Sequence, residues 1–127
     1  MQPNNFIFEC RSKIRACFDR KIGNFTELWN LSTNTNYVRC APRDPLIELY
    51  GLKNGERVKL SGHISDVAEA PDALILSYDS FGEYDISAKV TCRCEQDRLA
   101  FSAEICNHST IDVTEILMPH LGGIYLG

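Results

Sequence analysis

Apolar and polar residues alternate with period two along most of this chain, the signature of strands that bury one face. Phe6, Phe8 and Cys10, then Ile14, Ala16 and Phe18, are interleaved with Glu9, Arg11, Lys13 and Arg15. That pattern predicts one unusually long strand or two in line. Further short runs follow at Glu27 to Leu31, Leu46 to Leu52, Arg57 to Val67, Leu74 to Phe81, Tyr84 to Cys94, Leu99 to Asn107 and Ile111 to Met118. Turn signals separate them: Gly23-Asn24, Ser32 to Asn36, Pro42 to Pro45, Asn54-Gly55, Pro71-Asp72 and Asp79 to Gly82. Strands at regular spacing without a long amphipathic segment predict an all-β fold, an antiparallel β-sandwich of about eight or more strands. The one stretch with room for a helix is Asp66 to Ala73.

One pairing follows from the alternation alone. A tight turn at Gln96-Asp97 sets Glu95 opposite Arg98, and the register then matches Cys94 with Leu99, Cys92 with Phe101, Val90 with Ala103 and Ala88 with Ile105. One face of this hairpin is wholly apolar, and the other pairs Lys89 with Glu104 and Thr91 with Ser102. A slip of one residue would destroy both patterns.

With 127 residues, 44% of them hydrophobic, the chain has the size and composition of a single sandwich domain spanning residues 1–127, whether it stands alone or is a piece of a longer multidomain protein. A formal net charge of −4 argues against nucleic acid as a partner, because affinity for phosphate backbones needs clustered Lys and Arg. The longest apolar run, Ala73 to Leu76, is far short of the roughly 18 residues that a spanning helix needs, so no membrane is expected. The first residues, Met-Gln-Pro-Asn-Asn, lack the features of a secretory signal, and the expected location is the cytoplasm.

Six cysteines are about 5% of the chain, below the roughly 8–10% of a disulfide scaffold, and are expected to be mostly free thiols. Cys92-x-Cys94 and Cys106-x-His108 have the residue types of a zinc set, but the hairpin register places the pairs on the order of 17 Å apart, so no metal and no other cofactor is expected. Asn24, Asn30 and Asn107 each begin an Asn-x-Ser/Thr triplet, read as chance in a chain rich in these residues. His63, His108 and His120 have no sequence neighbour that makes any of them a general base. Asp112 and Glu115, at odd spacing on a strand, are expected to face opposite ways and so cannot form a glycosidase pair.

Several segments, taken in order, resemble the N-terminal β-sandwich of large glycoside hydrolases, the galactose-mutarotase-like or supersandwich type. Phe18-Asp-Arg-Lys-Ile-Gly-Asn-Phe-Thr-Glu-Leu-Trp-Asn-Leu-Ser-Thr is similar to their strand, Gly turn and strand, and Asn36-Tyr37 then leads to Pro45-Leu-Ile-Glu-Leu. Ile111-Asp-Val-Thr-Glu-Ile-Leu-Met-Pro-His-Leu-Gly-Gly-Ile-Tyr-Leu-Gly resembles their strand running into a Pro-x-x-Gly-Gly turn, and Leu99 to Asn107 looks like the strand before it. The resemblance covers most of the chain but not the barrel that carries the catalytic carboxylates of those enzymes. It implies a noncatalytic, carbohydrate-associated sandwich and transfers no catalytic residue.

On that reading, Trp29, Tyr50 and Tyr78 are the candidate stacking platforms, because sugar rings offer an apolar C–H face to a π-surface, and Glu48, His63 and Asp66 are the candidate hydrogen-bonding groups. The expected partner is a carbohydrate or a second domain of the same parent protein, and the apolar C-terminus is a candidate homo-oligomer contact. The alternative is a small acidic protein-binding module of the inhibitor or immunity type, acting through charge and exposed strand edges. A third reading, an oligonucleotide-binding barrel, is weakened by the acidic balance.

Overall fold

The computed structural model describes residues 5–10, 13–38, 44–95 and 98–119, and the expected features at Cys40, Gln96-Asp97 and His120 to Gly127 lie outside them. Among the described residues there are ten strands, all pairing antiparallel, and no helix. Four form one sheet in the order β1-β2-β3-β4: β1 (Asn5–Cys10), β2 (Ile14–Asp19), β3 (Asn24–Asn30) and β4 (Thr35–Asn36). Six form the other in the order β10-β5-β6-β7-β8-β9: β5 (Glu48–Lys53), β6 (Glu56–Ala70), β7 (Ala73–Phe81), β8 (Ile86–Glu95), β9 (Arg98–Asn107) and β10 (Asp112–Leu117). The antiparallel β-sandwich expected from the alternation is the observed fold.

The first run of apolar positions is not one long strand. It folds back on itself, with Phe6 opposite Phe18, Phe8 opposite Ala16 and Cys10 opposite Ile14. Lys13 N–H donates to the Cys10 carbonyl at 2.9 Å and closes the turn. Cys10 and Ile14 are directly opposite each other, so reversal leaves both apolar sets on one face, and alternation cannot distinguish a hairpin from a straight strand. The stretch with room for a helix is also strand. β6 continues to Ala70, and Pro71-Asp72 form a two-residue connection with Ala70 opposite Ala73.

The β8–β9 register is the one that the alternation predicts, Cys94 opposite Leu99 through Ala88 opposite Ile105. Apolar residues of β8 are buried, whereas their β9 partners at the sheet edge are half-buried. Elsewhere bulges interrupt the period. Asp79 is an extra residue on β7 and Ser65 an extra residue on β6, so the buried set changes parity on both strands. On β6 it passes from Leu60 to Val67, and on β7 from Leu76 and Tyr78 to Phe81. The first half of β6 pairs with β5 and the second half with β7, so one bent strand joins two sub-sheets.

The link from Asn107 to Asp112 spans at most about 17 Å, yet β9 and β10 occupy opposite edges of a six-stranded sheet that would be about 24 Å across if flat. The sheet must therefore curl strongly. Into its concave side the small sheet presents Phe6, Phe8, Ala16, Phe18 and Phe25, packed in one apolar cluster with Leu49, Leu74, Leu76, Phe81, Ile86 and Val90. Phe25 touches Phe18 and the β9 residue Phe101 edge to face, with ring centroids 5.3 and 6.0 Å away.

The free-thiol expectation fails for Cys10 and Cys94. They form a disulfide from the end of β1 to the end of β8, with Cα atoms 5.5 Å apart and a sequence separation of 84. No local spacing signals this pair, because only the stacking of the sheets brings it together. Cys17, Cys92 and Cys106 are free. Burial pushes the Cys92 thiol up to about 12, and burial with a bond to the Glu27 carboxylate pushes Cys17 up to about 11.

Two outcomes are expected. Reducing the Cys10–Cys94 bond should lower unfolding free energy by about 2–5 kcal/mol, read as a shift of the urea midpoint, and an unchanged midpoint would remove its structural role. Among these three free thiols, iodoacetamide near pH 8 should alkylate exposed Cys106 first and leave Cys17 and Cys92 largely intact until unfolding, as mapped by peptide mass.

Candidate functional site

The sandwich has an open cleft where β3 ends beside the start of β9. Its volume is about 480 Å³ and its floor is apolar, made by Ile14, Leu28, Leu99 and Phe101. Asn30, Ser32, Tyr37 and Lys13 supply polar groups around it, and Trp29 also lines it. The four floor residues are half-buried.

Asparagine side chains hold the rim in place. Asn30 Oδ1 accepts from the N–H groups of Ser32 at 3.1 Å and Thr33 at 3.4 Å, while its Nδ2 donates to the Tyr37 hydroxyl at 3.4 Å. Asn36 Oδ1 accepts from the N–H groups of Leu28 at 3.0 Å and Val38 at 3.1 Å. Asn34 takes a left-handed φ of 54°, which Asn tolerates better than most residues. These are turn-forming side chains that mimic backbone, and they fix the approach of Tyr37. Trp29 donates its indole N–H to Glu27 Oε1 at 3.0 Å. That bond, followed by the one from Cys17, holds the Glu27 carboxyl below its ordinary range.

The six residues singled out from sequence do not converge. Trp29 alone reaches this cleft. Tyr50 and Glu48 belong to the outer face of β5, where the Arg57 guanidinium lies 3.9 Å from the centre of the Tyr50 ring and already occupies it. Arg57 is held there by two bonds to Glu115, Nε to Oε1 at 3.0 Å and Nη2 to Oε2 at 2.9 Å. Glu48 is 2% exposed and engaged by Lys59 at 3.2 Å and by the Tyr50 hydroxyl at 3.2 Å.

His63, Asp66 and Tyr78 lie at the β6–β7 bulges. His63 Nδ1 is 2.9 Å from Asp79 Oδ1, an exposed pair in which the histidine holds the Asp79 carboxyl below its usual range. Asp66 is exposed beside the bulge. Tyr78 is 2% exposed and stacked on Phe81 with centroids 5.5 Å apart, so it offers no ring face to a ligand. Its hydroxyl is buried without a hydrogen-bond partner among the described residues.

Two further readings of the sequence change. Asp112 and Glu115 do not face opposite ways by register, because a bulge between Val113 and Glu115 sets them opposite Leu52 and Tyr50, which share a face of β5. Glu115 is committed to Arg57, so the two do not form a free carboxylate pair. Of the Asn-x-Ser/Thr triplets, Asn24 is buried and bonded to the Asp44 carbonyl and the Phe25 N–H, and Asn30 anchors the cleft rim. Among the described residues no group of three or more His, Cys, Asp or Glu is arranged to hold a metal ion. Tyr37 and Asn30 are not among those six candidates; the sequence marks Tyr37 only as one of several aromatic residues able to stack on a sugar and Asn30 only as the start of an Asn-x-Ser triplet.

A buried hydroxyl without a partner costs about 1–3 kcal/mol of desolvation. Tyr78→Phe is therefore expected to leave stability unchanged or raise it by about 1 kcal/mol, measured by thermal or urea unfolding. A clear loss of stability would mean that the hydroxyl is hydrogen-bonded in the folded protein.

Compared with known protein families, curated proteins and solved structures, this chain matches none, and the resemblance to the glycoside-hydrolase sandwich stands on its quoted motifs alone.

Proposed function

We propose that this chain is a noncatalytic carbohydrate-binding β-sandwich of a glycoside hydrolase-like protein, and that a saccharide seats in the cleft at the end of β3. The observation that carries the reading is the composition of that cleft. An apolar floor of Ile14, Leu28, Leu99 and Phe101 lies beside the amide of Asn30, the phenol of Tyr37 and the hydroxyl of Ser32. Sugars need this pairing, because each ring has apolar C–H faces and a belt of hydroxyls that both donate and accept. Asn, Ser and Tyr are the side chains that can do both in return. Their positions are set by hydrogen bonds within the turn, so little ordering is required on binding.

A glycan-array screen followed by titration of the best hit tests the proposal, with fluorescence from Trp29, the only tryptophan, as the signal. Saturable, competable binding is expected. Tyr37→Ala should weaken it by about tenfold, close to 1.4 kcal/mol, with the thermal midpoint nearly unchanged. Variants at Tyr50 and His63, which are remote from the cleft, should bind as the parent does. A blank array from a folded sample would sink the reading.

A second reading, a protein-binding module, is favoured by one feature of the opposite edge. β10 leaves Ile116 53% exposed, with Leu117 exposed next to it and Leu52 exposed on β5 opposite Asp112. An edge strand with apolar side chains is suited to strand addition by another polypeptide. A tight protein ligand displaced by Ile116→Lys, together with a blank array, would select this reading over the first.

A further inference from the structure

A second cleft, of about 530 Å³, opens at the other end of β3 from the first, between the β2–β3 turn and the bulged segment of β6. Its chemistry is unlike that of the chain as a whole. The protein carries a formal charge of −4, yet the residues lining this cleft include Arg20, Lys21 and His63 and no carboxylate. We propose that it binds a tetrahedral oxyanion, phosphate or sulfate, free or carried as an ester on a larger molecule.

The local structure that builds the cleft is specific. The Asp19 carboxylate accepts from the N–H groups of Lys21 at 2.8 Å and Ile22 at 3.2 Å, and Gly23 completes the turn at a φ of +79°. Asp19 is thus turned into its own loop, while Lys21 is exposed at the cleft. Arg20 donates to the carbonyls of Ile64 and Ser65, both at 3.3 Å, where the register of β6 shifts. The other bulge sets Asp79 against His63 Nδ1 at 2.9 Å. Gly62 has no substitute here, since a Cβ would lie 2.7 Å from both the Tyr78 and Phe81 rings. Its absence lets Tyr78 close in beneath the cleft.

The donor inventory chooses the ligand. Lysine and arginine side chains only donate hydrogen bonds, and the buried Tyr78 hydroxyl lacks a partner among the described residues. Desolvation raises the pKa of Tyr78, so this phenol keeps its proton. Cationic donors beside an unpartnered hydroxyl call for an anionic group rich in acceptor oxygens, such as phosphate or sulfate. A neutral sugar would bring hydroxyl protons with few acceptors to receive them. Tyr78 is itself among the residues that line the cleft, so its hydroxyl is the donor that a bound oxyanion would satisfy.

The test is a titration of the intact chain with inorganic phosphate and with sulfate at low ionic strength, followed by NMR shifts or calorimetry, with chloride at matched ionic strength as the control. Saturable binding at one site is expected for both ions and none for chloride. Lys21→Gln, a change at an exposed position, should weaken binding by about tenfold, and Tyr78→Phe by about threefold, whereas Lys53→Gln on another part of the surface should leave it unchanged. A hexose phosphate in parallel identifies the source: tighter binding than inorganic phosphate indicates an esterified group, and equal binding indicates the free ion. Absence of saturable binding in a folded sample overturns the proposal. So does binding that survives both Lys21→Gln and Tyr78→Phe unchanged.

Discussion

The bend in β6 is the constraint on which the rest of the molecule depends. Its first half pairs with β5 and its second half with β7, so a single strand has to serve two sub-sheets that do not lie in one plane. A straight strand of 15 residues would be about 50 Å long and could not follow the curvature of so small a core. The extra residues Ser65 and Asp79 break the ladder at one level and let both strands turn. Gly62 then admits the Tyr78 and Phe81 rings against the backbone at the corner. Curling follows, and with it the short crossing from β9 to β10 and a concave face deep enough to take the phenylalanines of the small sheet.

The same mismatch between a curled six-stranded sheet and a four-stranded cover accounts for the surface features. Among the described residues the small sheet does not roof the whole concave face, and a cleft opens at each end of β3. One exposes Leu99 and Phe101 behind the Asn-rich turn, and the other exposes the bulged corner beneath Arg20 and Lys21. Between them the sheets are tied by Phe25 against Phe101 and by the Cys10–Cys94 bridge. On the outer faces, the ion pairs Arg15–Glu9 and Arg57–Glu115 involve side chains about half exposed, and solvent screening limits what each contributes to stability. The exception is Glu48, whose carboxylate is withdrawn from water and held by Lys59 and Tyr50. Its role is to organise the outer side of β5, which is why it is not open to a ligand.

The candidate chemistry read from residue types alone was only partly placed by the fold. Aromatic and carboxylate side chains were chosen for what they can do in general, and the structure spends most of them on neighbours. Tyr50 is covered by Arg57, Tyr78 packs on Phe81, and His63 is matched with Asp79. What lines the open cleft instead is Tyr37, held by Asn30, in a turn whose sequence signals only a change of direction.

Local pattern by itself determined the all-β class, the strand spacing and the whole β8–β9 register, because unbroken alternation with one buried face admits a single pairing. It could not decide whether β1 and β2 run in line or fold back, since Cys10 and Ile14 keep the same parity either way. Nor could it carry the buried face of β6 past Ser65 or of β10 past Val113, because a bulge flips the parity and leaves no mark in a binary pattern. The Cys10–Cys94 bridge and the two clefts belong wholly to the tertiary structure. They arise where residues far apart in sequence are brought together by sheet stacking and curl, and stacking depends on the summed shape of the core rather than on any local run.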